Sequence, residues 1–201
     1  MRHILPAFIV ALALAGCTTQ QVDLRYQDTH TYDVDTSDLT SVQMGDVEDE
    51  RGHGTNWLGA IRGGFGQPLK TLETDGPVKN VVRKAYADAL KSREIYTERE
   101  DAPRLRVVMD QFDCNQYVRR EAHVKFNVQL ISADDGAVIF QDRVEVDTVQ
   151  GSIVSLDTGL FASVEELREV AHETLQKAVD QTLNDPDFRR AIRKTSVDNE
   201  V

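Results

Sequence analysis

Apolar and polar residues alternate along the chain at two periods, and each period predicts a different kind of element. A period of two predicts strands over 41–48, 104–117, 121–132 and 138–149, most cleanly in the third of these segments. The last two are separated by the hairpin signal Asp-Asp-Gly at 134–136, so we expect them to pair antiparallel. The pattern therefore predicts an early strand followed by a three-stranded meander.

A helical period marks three further segments. Apolar residues recur every three or four positions over 77–92, which begins with a proline in its first turn. A second stripe covers 164–184 and follows Ser163, which stands three residues before Glu166 as in a capping box. A short third helix is predicted after Pro186.

Together these elements predict an α+β fold. Because each long helix has one apolar stripe and each strand one apolar face, the economical packing is a two-layer sandwich. It consists of a mainly antiparallel sheet of about four strands, with two long helices on one face and a short C-terminal helix. We assign this single domain to 41–195, and a polar tether with a candidate edge strand at 22–26 to the preceding segment 17–40.

The segment 52–68 contains six glycines in seventeen residues, which predicts a long loop or lid. A helix would lose about 1 kcal/mol per glycine relative to alanine. Nucleotide-binding motifs do not fit: Trp57 stands where a dinucleotide fingerprint needs its third glycine. Phe65 and Gly66 stand where a phosphate-binding loop needs lysine and serine or threonine.

Two uses of this glycine-rich segment remain open. Its aromatic residues Trp57 and Phe65 would complete the core beneath the loop. Alternatively, the apolar side chains would contact a partner or lipid from a glycine-hinged backbone. The candidate contact residues are Trp57, Leu58, Ile61 and Phe65.

The first seventeen residues decide where the rest of the chain works. A short charged start and an apolar run of about a dozen residues, too short to span a bilayer, predict a signal peptide over 1–16. Leu14, Ala15, Gly16 and Cys17 then resemble the lipobox of bacterial lipoproteins. That resemblance implies that Cys17 becomes the first mature residue and carries a diacylglyceryl thioether and an amide-linked acyl chain. An ordinary secretory signal with a chance cysteine is the alternative.

Charge narrows the choice of partners. The chain has a net charge of -11, and removal of 1–16 takes away one base, leaving 34 acidic and 22 basic residues, or -12. This excess opposes binding to nucleic acid and to anionic lipid head groups. We therefore expect attachment to a membrane through the N-terminal lipid, together with an unknown envelope protein partner.

Few residues suggest catalysis or metal binding. With Cys17 acylated, Cys114 has no partner for a disulfide, and its apolar-alternating context predicts a packed, inert thiol. The histidines at 30, 53, 123 and 172 fall in separate elements, so we expect no metal and no cofactor. Asp110, Asp113 and His123 could meet across the first two strands of the meander and perform acid–base chemistry. Alternatively, they are solvated residues on the open face of the sheet.

The lipobox, the strand end at 46–52, the helix beginning at Gly76 and the meander together resemble the YajG-like lipoproteins of Gram-negative bacteria. More distantly, they resemble auxiliary lipoproteins of ABC-type lipid transport and of lipopolysaccharide assembly. The resemblance implies a periplasmic domain that is tethered by lipid and acts by association without catalysis. An auxiliary role in envelope lipid or ABC-type transport is the first alternative, and a periplasmic hydrolase that uses Asp110, Asp113 and His123 is the second. In these families, aspartate after the acylated cysteine retains a lipoprotein at the inner membrane. Thr18 and Thr19 follow Cys17, which favours the periplasmic face of the outer membrane.

Overall fold

A computed structural model of the chain describes residues 18–27, 38–151 and 163–193. Residues in strands and β-bridges make up 44% of these described residues. Eight strands form one mixed, curled sheet, a half-barrel, and three helices accompany it. The predicted two-layer sandwich with about four mainly antiparallel strands is therefore wrong. The elements are β1 (Thr18–Val22), β2 (Val42–Asp49), β3 (Trp57–Arg62), β4 (Pro68–Thr74), α1 (Val78–Ser92), β5 (Tyr96–Thr97), β6 (Arg104–Gln116), β7 (Arg120–Ile131), β8 (Val138–Gln150), α2 (Val164–Asn184) and α3 (Pro186–Ala191).

The three long strands β6, β7 and β8 form the predicted antiparallel meander. Leu105 pairs with Leu130, and Leu130 with Phe140, so the apolar face continues across all three strands. This face is buried, whereas the residues between them are half-buried or exposed. The prediction of a sheet covered on one side is confirmed for these strands.

The other edge of β6 explains why the sheet is mixed and larger than predicted. β2 pairs parallel with the first half of β6, from Gln43 opposite Arg104 to Asp49 opposite Met109. β3 pairs parallel with its last residues, where Gly59 lies opposite Cys114. β4 then pairs antiparallel with β3, β1 parallel with β4, and the short β5 parallel with β2.

Strand β3 lies within the segment 52–68 that the sequence predicted to be a loop or lid, and β4 begins at the last residue of that segment, so the prediction is wrong. At Gly59 a Cβ atom would lie 1.9 Å from the carbonyl oxygen of Cys114, so glycine permits the two strands to approach closely. Gly66, with φ of 83°, lies in the turn between β3 and β4. Two of the glycines that suggested a loop therefore have other roles: Gly59 allows two paired strands to lie close together, and Gly66 forms a turn.

The predicted helices are confirmed, and both long ones pack against the sheet, α1 on β2 and α2 on the meander. The side chain of Ser163 accepts a hydrogen bond from the backbone N–H of Glu166 at the start of α2. The Asp185 carboxylate likewise accepts from two backbone N–H groups of α3. In the core, the hydroxyls of Tyr86 on α1 and Thr182 on α2 lie 2.9 Å apart. Tyr86 also packs against the Phe126 ring of β7, which ties both helices to the sheet.

None of the helices within residues 18–27, 38–151 and 163–193 has the length and apolar character needed to cross a bilayer.

Candidate functional site

The predicted lipobox and its acceptor, Leu14, Ala15, Gly16 and Cys17, lie outside the described residues. The chain is described from Thr18, which is bonded directly to Cys17 and begins β1. β1 pairs with β4 at the edge of the sheet, with Thr18 opposite Lys70 and Val22 opposite Thr74. Part of the segment predicted to be a polar tether is therefore a strand, and it lies four residues earlier than the candidate edge strand at 22–26.

The start of β1 lies at one end of the half-barrel, as the strand registers show. Lys70, the partner of Thr18, is opposite Ile61 in β3. Successive pairings carry this row into the meander and to the last residue of β8. The row contains Thr18, Lys70, Ile61, Gln116, Arg120 and Gln150.

Two turns project beyond this row, and they contact each other. The first, 63–67, joins β3 to β4, and the second, 117–119, joins β6 to β7. The Tyr117 hydroxyl donates a hydrogen bond of 2.8 Å to the carbonyl oxygen of Gly64. We call these two turns the end turns. They lie at the same end of the sheet as the residue that follows Cys17.

The four candidate contact residues in β3 and the turn after it separate into three environments. Leu58 and Ile61 are fully buried core residues. Trp57 is half-buried, and its ring lies 4.2 Å from the His53 ring, centroid to centroid. Phe65 is 98% exposed at the tip of the first end turn, so it does not complete the core. Of the four, Phe65 is the one whose side chain is fully presented to solvent.

A buried arginine, Arg51, links the end of β2 to β3 and β6, and the sequence pattern did not predict this role. The Arg51 guanidinium donates to the carbonyl oxygens of Trp57 and Phe112, each at 2.9 Å, and to the Asp49 carboxylate at 2.8 and 2.9 Å. Burial raises the pKa of Asp49, but the hydrogen bonds and charge of Arg51 outweigh this and lower it below its usual value. The signal available in the sequence was the position of Arg51 directly after the charged end of a strand. Nothing local in the sequence distinguishes such a buried arginine from an exposed one.

The candidate acid–base residues lie on the open face of the meander. Asp113 and His123 are directly opposite each other in register. The His123 ring, however, pairs with Asp147 on β8 at 2.6 Å. Asp113 accepts hydrogen bonds from Gln111 at 2.6 Å and Asn115 at 2.8 Å. Neighbouring side chains on the sheet surface thus engage both groups.

Asp110 lies on the same face, where its carboxylate accepts a hydrogen bond of 2.8 Å from Asn127. Arg51, His53 and the residues from Asp110 to Asp113 line a shallow depression of about 190 Å³ there. Of the three candidate acid–base residues, Asp110 and Asp113 thus line this depression, whereas His123 pairs with Asp147.

Cys114 is fully buried in β6, as predicted. Its burial, helped by the nearby charge of Asp113, raises the pKa of its thiol far above the usual value. A buried, protonated thiol is a poor nucleophile. In the part of the chain that the structure describes, no three His, Cys, Asp or Glu side chains are grouped to hold a metal ion.

No protein-family model matches the sequence, and no curated protein matches it. Among solved structures, the fold is similar to protein XCC0632 from Xanthomonas campestris, of family DUF330, with a TM-score of 0.58 and 12% identity over 82% of this chain and 91% of that one. It is also similar to an uncharacterised protein, with a TM-score of 0.53 and 9% identity over 83% and 96% of the two chains. At these identities, the likeness shows a shared fold.

A weaker likeness is to lipoprotein GNA1162 from Neisseria meningitidis. The TM-score is 0.31 and the identity 10%, over 73% of this chain and 99% of that one.

Proposed function

We propose that this chain is a lipoprotein of the Gram-negative envelope, anchored by acyl chains on Cys17, whose folded domain acts by associating with other envelope proteins. The observation that carries the proposal is that the lipobox ends one residue before β1 begins at Thr18. A lipid on Cys17 would therefore be joined to the edge of the folded sheet with no spacer between them.

The energetics of lipid anchoring agree with this proposal. Burial of an acyl chain contributes about 0.8 kcal/mol per methylene, so one chain binds marginally and two or more bind stably. The lipobox resemblance implies more than one chain on Cys17. Thr18 and Thr19 after the cysteine favour the outer membrane, and kinship with YajG-like lipoproteins belongs to the same proposal.

The open face of the meander is the surface that we propose for protein association. It presents polar side chains in rows that cross three long strands, such as Gln111, Lys125 and Glu145. Among the described residues, β8 has one strand neighbour, β7. A partner would meet a broad, charged surface bordered by the edge of a 13-residue strand. Charged residues on that strand also protect the edge from unselective pairing.

The anchor is tested by replacing the two cysteines separately and feeding cells an alkyne-bearing fatty acid. Cys17→Ser is expected to abolish the label and to leave the protein unprocessed or soluble. Cys114→Ala is the matched control and is expected to retain the label, because its thiol is fully buried. Label retained in Cys17→Ser, or lost only in Cys114→Ala, would contradict the proposal.

Association is tested by crosslinking in intact cells and purifying the acylated protein from envelope fractions. A reproducible partner whose crosslinks map to the open face supports the proposal. The hydrolase alternative makes the opposite prediction for His123→Ala and Asp113→Asn. If either variant accumulates normally in the envelope but fails to restore a deletion phenotype, while crosslinking to the partner is unchanged, association is not the function.

A further inference from the structure

Three of the six large apolar side chains that are exposed among the described residues lie on the end turns, beside the residue that follows Cys17. Val149 lies near the same end of β8, whereas Val138 and Ile139 lie at the opposite end. Phe65 is 98% exposed, Tyr117 47% and Val118 40%. Phe65 belongs to the turn that leads into β4, the strand on which Thr18 pairs. Isolated exposed apolar residues are ordinary on protein surfaces, but here an aromatic residue stands at the tip of a turn, close to a predicted lipid.

The turn that carries Phe65 is braced. The Gly63 N–H donates to the Gln67 carbonyl oxygen at 2.8 Å, closing the turn at its base. The Arg62 guanidinium donates to the Gly66 carbonyl oxygen at 3.2 Å, and Tyr117 donates to Gly64 from the other end turn. These bonds hold Phe65 outward on a defined backbone, whereas a frayed loop would let the ring fold back onto the sheet.

Charge distinguishes the two ends of the sheet. The segments 62–70 and 116–121, which contain the end turns, hold four basic residues and one acidic residue. At the opposite end, the segments 98–104 and 131–138 hold five acidic residues and two basic ones. The net charge of -11 led us to expect repulsion from anionic head groups. Arg119 is ion-paired with Glu121, and Arg120 with Glu166 at the start of α2. With Glu166 included, the count is four basic and two acidic residues, so the end turns keep a small positive excess that the net charge of the whole chain does not describe.

We propose that the end turns form a membrane-docking tip, in which Phe65 enters the interface of the leaflet that holds the Cys17 lipid and the basic residues face anionic head groups. This inference rests on the proposed acylation of Cys17. Consecutive Cα atoms lie about 3.8 Å apart, so an acylated Cys17 places the start of β1 at the leaflet surface. Aromatic and apolar residues with basic neighbours are the composition that binds this interface.

Docking through this tip fixes how the domain stands on the membrane. The strands of the meander run away from the row that contains Gln116, Arg120 and Gln150. The open face is then turned sideways and remains accessible to a protein partner. The acidic end, which includes the turn at 134–136, points away from the leaflet.

The test places single tryptophans at the two ends of the sheet in the full acylated protein. Phe65→Trp and Val118→Trp report on the end turns. Ile139→Trp is the matched control at the opposite end, where Ile139 is 40% exposed, the same fraction as Val118. Each protein is purified from envelopes and reconstituted into vesicles of phosphatidylethanolamine and phosphatidylglycerol, with or without lipids brominated near the head group. The emission of the unsubstituted protein, which contains Trp57, is subtracted.

We expect bromine to quench the new emission of Phe65→Trp and Val118→Trp, and to leave that of Ile139→Trp unchanged. Flotation of the vesicles reports the anchor separately. If the protein floats with the vesicles but bromine quenches none of the three tryptophans, the docking tip is overturned and the acylation of Cys17 still stands. Loss of flotation would overturn both. A dimer that Phe65→Ser dissociates would assign the end turns to a second copy of the chain and would also overturn docking.

Discussion

The backbone of Gly59 in β3 lies against that of Cys114 in β6 so closely that a Cβ atom on Gly59 would be 1.9 Å from the Cys114 carbonyl oxygen. The same Cβ would be 2.6 Å from the Cys114 sulfur. This contact joins the part of the sheet that contains β3, β4 and β1 to the meander. The position of Thr18, at the start of β1, relative to the meander therefore depends on Gly59, a residue without a side chain.

Gly59→Ala is expected to destabilise the protein by about 3 kcal/mol, because the two strands must separate to admit a methyl group. Gly64→Ala is the matched control, since a Cβ there meets nothing within 4 Å. Its expected effect is within about 0.5 kcal/mol. Urea unfolding followed by circular dichroism measures both. Equal free energies of unfolding for the two variants would contradict the close approach of β3 to β6.

Arg51→Met is expected to cost about 3 kcal/mol, because it leaves the Asp49 carboxylate unpaired and two carbonyl oxygens without their donor. The side chains of Arg51 and Asp49 are 1% and 15% exposed. Arg99→Met breaks an ion pair whose partners are 74% and 65% exposed, so its expected effect on stability is far smaller than that of Arg51→Met. Thermal unfolding of both variants at neutral pH gives the comparison, and a mild effect at Arg51 would show that it does not clamp the strands.

Stability is expected to fall in alkali. Burial raises the pKa of Tyr86 well above its usual value of about 10, although the hydrogen bond with Thr182 opposes this. Above about pH 10, the unfolded chain loses the phenolic proton while the folded protein retains it, so rising pH favours unfolding. Tyr86→Phe should therefore lose about 1.4 kcal/mol less than the unsubstituted protein between pH 8 and pH 11.

The same substitution tests the buried hydrogen bond at neutral pH. Tyr86→Phe removes the partner of the Thr182 hydroxyl, at an expected cost of about 1 kcal/mol. The cost is limited because Thr182 also donates to the Ala178 carbonyl oxygen at 3.1 Å. Urea titrations over a pH series give both quantities, and parallel alkaline losses in the two proteins would refute the raised pKa.

Thr18→Asp is expected to move the protein from the outer-membrane fraction to the inner-membrane fraction, following the sorting rule that the lipoprotein resemblance implies. Thr18 is exposed at the start of β1, so the fold should tolerate the change. Thr18→Asn is the isosteric control and is expected to remain in the outer membrane. Density-gradient separation of the two membranes provides the measurement, and identical distributions for both variants would argue against sorting at this position.

Local sequence patterns predicted the helices that bury one apolar stripe and the strands that bury one apolar face. The helices α1 and α2 and the meander are continuous in sequence, and periodicity alone located them to within a residue or two. The parallel pairs of β2 and β3 with β6 connect residues about sixty positions apart. No local signal encodes such a pairing, so β2 was predicted as a strand but its parallel pairing with β6 was not. β3 was missed because the glycines of 52–68 indicated a loop, and the sheet was predicted with about half of its strands.

The candidate site was predicted only in part, for a related reason. Phe65 was identified because an aromatic residue among glycines is conspicuous in sequence. Phe65 lies at the same end of the sheet as Tyr117, Val118 and Thr18 only because of the register of strands that are distant in sequence. Glycine has two meanings as well: Gly66 serves a turn, whereas Gly59 permits two strands to meet. Composition cannot distinguish these roles.

If Cys17 bears the lipid that fixes this end of the half-barrel to a membrane, the N-terminal peptide of the mature protein must carry it. The most direct test is mass spectrometry of the N-terminal peptide of protein purified from envelope fractions. We predict a peptide that begins at Cys17 and carries the mass of a diacylglyceryl group and an amide-linked acyl chain. A peptide that extends intact upstream of an unmodified Cys17 would contradict the account.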